Sequence, residues 1–213
     1  MHIPDAFIPL WQSGIYWIIA VLFLGLSIKW AQKEMGEDRV PIIAVLAAGI
    51  FAIQGFNLPV AMGTSGHLVG GALAAIILGS PFAAVFILTL VLIVQGLLFG
   101  DGGITVMGAN ILNMGVIGGF VGFYSYHGIL TLIKNPYVSA GVAAWLACVI
   151  SALACAIEMS IAGTFPLVPG LMAMGIYHAA IGIIEGIITA VIIYLLVSSR
   201  PDLIAPSSKV VSP

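Results

Sequence analysis

The sequence predicts an all-α, polytopic membrane protein with seven transmembrane helices. Of its 213 residues, 62% are hydrophobic and only 7% are charged, and the mean hydropathy is +1.22. Soluble domains carry about 25% charged residues, so this composition excludes an ordinary soluble fold. A helix needs about 20 apolar residues to span a bilayer. The chain has seven apolar stretches, at residues 10–30, 41–56, 66–79, 81–99, 107–131, 138–162 and 171–198.

The second and third stretches are shorter than the others. Helix formation can stop near Asn57-Leu58-Pro59 or in the glycine-rich segment 63–71. Only the turn signal Gly79-Ser80-Pro81 separates the third stretch from the fourth. Six spans is therefore the rival count.

The distribution of Lys and Arg favours seven spans and gives their orientation. With seven spans, all six cationic residues fall on one side: Lys29, Lys33, Arg39, Lys134, Arg200 and Lys209. Cationic residues accumulate on the cytoplasmic side, so the N-terminus is expected outside and the C-terminus in the cytoplasm. We divide the chain into a tail of residues 1–9, a transmembrane bundle of residues 10–198, and a polar cytoplasmic tail of residues 199–213. We expect the polar tail to be disordered from residue 201 onward.

The chain begins Met1-His2, a pair that can chelate a metal ion with main-chain atoms. The amine of Met1, the backbone nitrogen of His2 and the Nδ1 atom of its ring can close two chelate rings in one plane. Nitrogen donors in a square plane suit Ni2+ or Cu2+. Taken alone, a Met-His start is more often an accident of the start site. If the cage forms, the His2 amide loses its proton, and metal affinity should fall as the pH is lowered.

His67 is the most informative polar residue within the predicted bundle. It lies in the sequence Gly66-His67-Leu68-Val69-Gly70-Gly71, at the outer end of the third span and on the same side as the N-terminus. Polar groups within a membrane usually face the bundle interior or a water-filled cavity. His67 can therefore supply a fourth nitrogen. The alternative is a hydrogen-bonded histidine at the start of a helix.

Four further polar residues are expected to hold the metal-binding tail in place: Asp5, Ser65, Asn110 and Asn113. The two asparagines are three residues apart and so share one helical face. We expect Asp5 to accept hydrogen bonds within the tail. Such supporting contacts orient metal ligands. For the asparagines, the alternative is hydrogen bonding between helices.

Two other function classes fit parts of the sequence. Gly63-Thr64-Ser65-Gly66 matches the G-x-S-G motif of rhomboid intramembrane serine proteases, with His178 as a general base. A passive metal channel would need a continuous polar pathway, whereas the inner halves of the predicted spans are apolar. The 213 residues contain no nucleotide-binding G-x-x-x-x-G-K-[ST] motif and no basic, aromatic-rich patch for nucleic acid.

Five separated blocks, in this order along the chain, resemble the CbiM/NikM family, most closely its nickel type. These proteins are the substrate-binding (S) components of energy-coupling-factor (ECF) transporters for cobalt and nickel. The resemblance covers residues 1–198, with one departure: Ala6 stands where the family usually has glycine. The blocks are Met1-His2-Ile3-Pro4-Asp5, residues 63–71, Phe99-Gly100-Asp101-Gly102-Gly103, residues 108–115 and residues 178–186.

The resemblance implies that the tail inserts into the bundle and that Met1, His2 and His67 hold Ni2+ or Co2+. It implies a binding protein rather than an enzyme, with the ion as cargo and no resident cofactor. It places the chain in the inner (plasma) membrane of a prokaryote. The implied partners are a transmembrane coupling (T) subunit, two cytoplasmic ATPase subunits and a small accessory membrane subunit, with no nucleic acid. The absent nucleotide motif agrees with this division of labour.

Overall fold

The computed structural model describes residues 1–60, 64–208 and 210, and it describes Asp38 and Thr64 by their backbone alone. Gly63 of the glycine-rich motif, Lys209 and residues 211–213 of the C-terminal tail lie outside the described residues.

The described chain is predominantly helical, as the sequence predicts. Its helices are α1 (Leu10–Glu34), α2 (Val40–Gln54), α3 (Gly71–Ile77), α4 (Pro81–Val94), α5 (Met107–Asn110), α6 (Gly118–Ile133), α7 (Pro136–Ile161) and α8 (Leu167–Ser199). Two π-helical segments, Gln95–Phe99 and Ile111–Ile117, extend α4 and join α5 to α6. Short 3-10 turns occupy Glu37–Arg39, Pro201–Leu203 and Pro206–Ser208.

Five of these helical stretches are long and apolar enough to cross a membrane: Leu10–Glu34, Pro81–Phe99, Met107–Ile133, Pro136–Ile161 and Leu167–Ser199. Large apolar side chains remain exposed on them, among them Ile18, Leu22 and Ile187. An aqueous surface disfavours such faces, whereas lipid accommodates them. The count of seven spans and the orientation of the termini stay predictions.

The second and third predicted spans differ from full-length membrane helices. Helix α2 has 15 residues, and α3 has only seven, all of them buried. Seven helical residues rise about 10 Å, so α3 alone cannot cross a bilayer. Residues 66–79 therefore do not form one continuous membrane helix, and the alternative of a break within the glycine-rich segment 63–71 agrees with the structure. The break follows from Gly70, whose φ of 78° is left-handed and is readily adopted by glycine.

An antiparallel hairpin precedes α3. Its strands are β1 (Leu58–Val60) and β2 (Thr64–Gly66), and Leu58 pairs with Gly66. The segment from His67 to Gly70 then runs without regular structure to the start of α3. His67 is carried by this segment and not by a helix.

Local capping separates the helices where the sequence signals turns. Ser80 caps α4 because its hydroxyl accepts a hydrogen bond from the Phe82 amide at 3.2 Å, and Pro81 occupies the first helical turn. Asn135 caps α7 in the same way through the amides of Tyr137 and Val138. The predicted turn at Gly79-Ser80-Pro81 is therefore confirmed.

The C-terminal segment packs against the bundle. The Ala205 amide donates to the carbonyl of Ile77 at 2.9 Å, and the Ser207 hydroxyl donates to the carbonyl of Gly79 at 3.1 Å. Ile204 and Ser208 are buried. The prediction of disorder is therefore wrong for residues 201–208, because these residues satisfy carbonyls at the end of α3.

Close backbone approach fixes the centre of the bundle. A Cβ atom added to Gly122 of α6 would lie 2.5 Å from the Cβ of Ala72 in α3. In contrast, an added Cβ on Gly128, in the same helix, would meet nothing within 4 Å. Small residues of this kind allow helices to approach closely in membranes.

We predict opposite effects of alanine at these two positions of α6. Gly122→Ala should lower the free energy of unfolding by about 1–3 kcal/mol, because the added methyl overpacks the contact with α3. Gly128→Ala should change it by at most about 1 kcal/mol, in the stabilising direction, through helix propensity. Thermal or denaturant unfolding in detergent measures both. Equal effects would contradict the packing described here.

Candidate metal centre

The first three residues are docked inside the bundle. Met1 and Ile3 are fully buried, and His2 is 5% exposed. The Ile3 amide donates to Oδ1 of Asn110 at 2.8 Å, and the Ile3 carbonyl accepts from Asn110 Nδ2 at 3.2 Å and from the Gly103 amide at 2.9 Å. Both polar groups of the Ile3 main chain are therefore satisfied, which fixes the path of the chain on one side of His2.

The N-terminal amine of Met1 lies against β2. It contacts the carbonyl oxygen of Ser65 and lies 3.2 Å from the Ser65 hydroxyl oxygen. Burial lowers the pKa of this amine to about 5. At neutral pH the amine is therefore uncharged and has a lone pair available to a metal ion.

The His2 ring presents its Nδ1 atom as an acceptor. Its Nε2 lies 3.2 Å from the amide oxygen of Gln95, which can only accept, so Nε2 carries the proton. Asp101 Oδ1 lies 3.2 Å from Nδ1 but off the direction of a hydrogen bond, and Nδ1 has no hydrogen-bond partner among the described residues. Burial lowers the pKa of His2, which favours the neutral ring.

The His67 ring has its Nε2 atom free, whereas the His2 ring has its Nδ1 atom free. Its Nδ1 donates to the carbonyl of Leu68 at 2.8 Å, so the buried Nε2 is the free acceptor, and it has no hydrogen-bond partner in the described part of the chain. The two imidazoles are stacked, with ring centroids 4.3 Å apart and planes inclined by 20°. The structure therefore brings His2 and His67 into direct contact at one buried place.

Asp101 provides negative charge beside these nitrogen atoms. Contact with the His2 ring holds the pKa of the Asp101 carboxyl below its usual value, so this group is ionised at neutral pH. Asn57 donates to its Oδ2 atom at 3.2 Å. Sequence reasoning did not place Asp101 or Gln95 at the site. Both are polar residues in or beside a strongly apolar stretch, and this feature could have indicated a functional role.

Three of the four supporting residues proposed from the sequence, Ser65, Asn110 and Asp5, help to dock the N-terminal tail. Ser65 contacts the amine, and Asn110 contacts the Ile3 main chain, as described above. Asp5 accepts hydrogen bonds from the Thr105 amide at 2.8 Å and the Thr105 hydroxyl at 2.5 Å. The expected bonds within the tail are therefore corrected to bonds with the loop before α5.

Asn113 does not contact the N-terminal tail. Its Nδ2 donates to Oε2 of Glu158 at 2.6 Å. Asn113 lies in the π-helical segment that follows Asn110, and the wider turn of a π-helix changes which residues share a face. The assumption that two asparagines three residues apart point to the same neighbour was wrong for this reason.

Ala6 shows why glycine suits its position. Its φ is 69°, in the left-handed region, and the turn is closed by a bond from the Phe7 amide to the Pro4 carbonyl at 3.4 Å. A left-handed residue other than glycine costs about 1–2 kcal/mol. The departure from the family pattern therefore puts strain into the tail and leaves the turn intact.

The described residues contain no Ser65–His178 pair of the kind a serine protease uses. His178 donates from Nδ1 to the Met174 carbonyl at 2.8 Å, and its Nε2 has no hydrogen-bond partner among the described atoms. The Ser65 hydroxyl instead faces the N-terminal amine. A general base must lie within hydrogen-bond reach of its nucleophile, so this geometry does not support the protease reading.

The available donors are unusual because half of them belong to the main chain. Within the described residues, no group of three or more His, Cys, Asp or Glu side chains is arranged to hold a metal ion. The nitrogen donors present at this place in the described chain are the terminal amine and the His2 backbone nitrogen, together with the two imidazoles. Four nitrogen donors of this kind suit Ni2+, Co2+ or Cu2+ more than Mg2+ or Ca2+, which prefer oxygen.

Comparison with known proteins points to metal transport. Residues 2–203 match the CbiM family, described as the cobalt uptake substrate-specific transmembrane region. A protein of Archaeoglobus fulgidus, provisionally named as a fused nickel transport protein NikMN, is 40% identical over 206 residues, which are 96% of this chain and 68% of that protein. The cobalt transport protein CbiM of Geobacter sulfurreducens is 33% identical over 214 residues, 96% of this chain and 62% of that protein.

A solved structure shares the fold. The crystal structure of a truncated transition metal transporter superposes with a TM-score of 0.88 at 35% sequence identity, covering 93% of this chain and 99% of that chain.

The pH dependence of Ni2+ affinity tests the ligand set. Because the Met1 amine has a pKa of about 5 and the His2 ring is neutral, both are already unprotonated at pH 7. Only the His2 amide then releases a proton on binding, so affinity should fall about tenfold per pH unit between pH 7 and pH 6. Below about pH 5 the amine also takes up a proton, and the fall should steepen.

Calorimetry in buffers of different ionisation enthalpy counts the protons released, and one proton per ion is expected near pH 7. Thermal unfolding of the metal-free protein over the same pH range is the control. Constant affinity from pH 7 to pH 5 would rule out the amide as a ligand.

Proposed function

The chain belongs to the CbiM family of cobalt uptake transmembrane proteins, and we propose that it captures Ni2+ or Co2+ as the substrate-binding (S) component of an ATP-driven ECF uptake transporter. It is a multi-pass membrane protein of a prokaryotic metal transport family and not an enzyme. The observation that carries the proposal is the buried stack of the His2 and His67 rings, with the buried Met1 amine near both rings.

In this proposal four nitrogen atoms bind the ion: the amine of Met1, the backbone nitrogen and Nδ1 of His2, and Nε2 of His67. Support comes from the two imidazole nitrogens that are buried without a hydrogen-bond partner in the described chain. A buried acceptor without a partner costs about 1–3 kcal/mol, and a bound cation would remove that cost. The ion is cargo, and the cage holds it until partner subunits release it.

Charge balance supports capture of a divalent ion at this depth. The deprotonated His2 amide supplies one negative charge, and the Asp101 carboxylate beside the ring supplies another. Together they neutralise an M2+ ion. A buried charge is costly unless it is paired, so a neutral assembly can be enclosed where a bare dication cannot.

Capture is better supported than passive conduction. Helix α3 is buried throughout, and Ile87 and Leu88 of α4, a helix that packs against it, are fully buried and apolar. A channel needs a continuous polar pathway that binds ions weakly at several places. An enclosed site above an apolar interior instead requires the protein to change its position or conformation before it can release the ion.

Energy for that change would come from other chains. The 213 residues contain no nucleotide-binding motif. We therefore assign ATP hydrolysis to two cytoplasmic ATPase subunits, coupled through a transmembrane T subunit, with a small accessory membrane subunit completing the complex. In this proposal the chain resides in the plasma membrane, with its N-terminal tail inserted into the bundle from the outer side.

Uptake in proteoliposomes tests this assignment. With the T subunit and both ATPase subunits present, 63Ni2+ uptake should require ATP, and His67→Ala should reduce uptake at least about tenfold by removing one of four ligands. His127→Ala is the matched control, because His127 lies on α6 and its Nε2 contacts the Ser207 carbonyl, away from the centre. Uptake that proceeds without ATP or partner subunits would contradict the proposal and favour a channel.

A further inference from the structure

We propose that Glu185 is a positioning residue for metal capture, acting on His67 through one peptide group. This inference rests on the proposed function, since it concerns the ligand that closes the nitrogen cage. Glu185 lies on α8, 2% exposed, and is separated from His67 by more than one hundred residues of sequence.

The Glu185 carboxylate clamps the segment that follows His67. Its Oε2 accepts a hydrogen bond from the Val69 amide at 2.8 Å, and its Oε1 accepts one from the Gly70 amide at 2.9 Å. Two successive main-chain N–H groups are thus satisfied by the two oxygens of one side chain. Hydrogen bonds to a carboxylate are roughly twice as strong as those between neutral groups.

One of these bonds is continuous with the histidine. The Val69 amide and the Leu68 carbonyl belong to the same peptide group, and that carbonyl accepts the Nδ1 proton of His67 at 2.8 Å. The sequence of contacts is therefore carboxylate, peptide group, imidazole and then the free Nε2 atom. Hydrogen bonds in a chain polarise one another, so the Glu185 contact strengthens the carbonyl as an acceptor.

This arrangement has two effects on His67. It holds the proton on Nδ1, which keeps Nε2 available to the metal ion, and it makes Nε2 a better electron donor. Metal-bound histidines commonly donate their other N–H to a carboxylate or a carbonyl for the same reason. Here the carboxylate acts one peptide further away.

The opposite side of the same segment is also fixed. Gln54 of α2 donates from Nε2 to the Val69 carbonyl at 2.7 Å. The Ile50 side chain fills the space where a side chain on Gly70 would lie, with its Cγ1 atom 2.8 Å from an ideal Cβ position. The main chain next to His67 is therefore held between α2 and α8, and Glu185 provides two of the contacts.

Glu185→Gln tests the inference with little change of volume. A glutamine has one acceptor oxygen, so one of the two amides loses its partner and the peptide next to His67 is less polarised. Ni2+ affinity measured by calorimetry should fall about 10–100-fold, the usual effect of losing a supporting contact at a metal site. Thr189→Val, one turn further along the same buried face of α8, is the control and should keep wild-type affinity.

A spectroscopic measurement distinguishes positioning from general destabilisation. The visible absorption band of the Ni2+ complex reports the ligand field, and it should move to longer wavelength in Glu185→Gln because the His67 nitrogen binds less strongly. An unchanged band with unchanged affinity would overturn the inference. A general loss of stability would instead reduce the bound fraction without moving the band, and that result would also count against it.

Combination with His67→Ala shows whether Glu185 acts through this histidine. In the His67→Ala background, Glu185→Gln should cause no further loss of affinity, because neighbours in one network are not additive. A second full loss would overturn the inference. If His67→Ala alone binds Ni2+ like the wild type, the proposed cage fails; if His67→Ala weakens binding and Glu185→Gln does not, only the role of Glu185 fails.

Hydrogen exchange gives a test that needs no variant. In the wild-type, metal-free protein, the amides of Val69 and Gly70 should exchange slowly, because both are buried and bound to Glu185. Exchange as fast as that of an exposed loop would overturn the inference even if Glu185→Gln cannot be folded.

Discussion

The proposed metal centre depends on hydrogen bonds that fix the main chain of the first three residues. Asn110 and the Gly103 amide satisfy both polar groups of Ile3, and Ser65 meets the amine of Met1. This constraint matters because two of the four proposed nitrogen donors are main-chain atoms, which no rotamer change can move into place. The bundle must therefore position a chain terminus, normally the least ordered part of a protein. Asp5 reinforces this docking through Thr105. The left-handed φ of Ala6 shows that the turn in the tail forms despite backbone strain at that residue.

The surrounding helices then decide which ring nitrogen each histidine offers. His2 donates a hydrogen bond from Nε2 to Gln95, and His67 donates one from Nδ1 to the Leu68 carbonyl. The nitrogen left free is therefore Nδ1 in His2 and Nε2 in His67. Three helices thus contribute side chains that position the two histidines. The π-helical extension of α4 carries Gln95, and α2 and α8 hold the segment beside His67 through Gln54 and Glu185. This explains why polar residues persist in a chain with so few of them. Gln95 contacts the His2 ring, and Gln54 and Glu185 contact the main chain beside His67.

Composition predicted the helical membrane fold, and the five spaced motifs predicted that Met1, His2 and His67 lie together. The structure buries all three and stacks the two rings, while their role as metal ligands stays a prediction. Sequence reasoning failed where a contact depends on tertiary geometry. The third apolar stretch contains only a seven-residue helix after a hairpin; the glycine-rich sequence allowed a break in residues 63–71, but hydropathy does not record that Gly70 is the left-handed residue before the helix. Asn113 was assigned to the tail by α-helical spacing, which a π-helical segment alters. The C-terminal segment looked disordered by composition, yet its main chain pairs with the end of α3. The contacts of Glu185 with Val69 and Gly70 join distant residues and have no local signature at all.

The most direct measurement is calorimetry of Ni2+ and Co2+ binding to the wild type and to a protein whose Met1 amine is acetylated. Acetylation keeps every side chain but removes the lone pair with which the buried amine would close a five-membered chelate ring with the His2 backbone nitrogen. Thermal unfolding checks that both proteins are folded. A cage built on the free N-terminal amine predicts that high-affinity binding disappears in the acetylated protein. Equal affinity in the two proteins would contradict it and would place the ligands elsewhere.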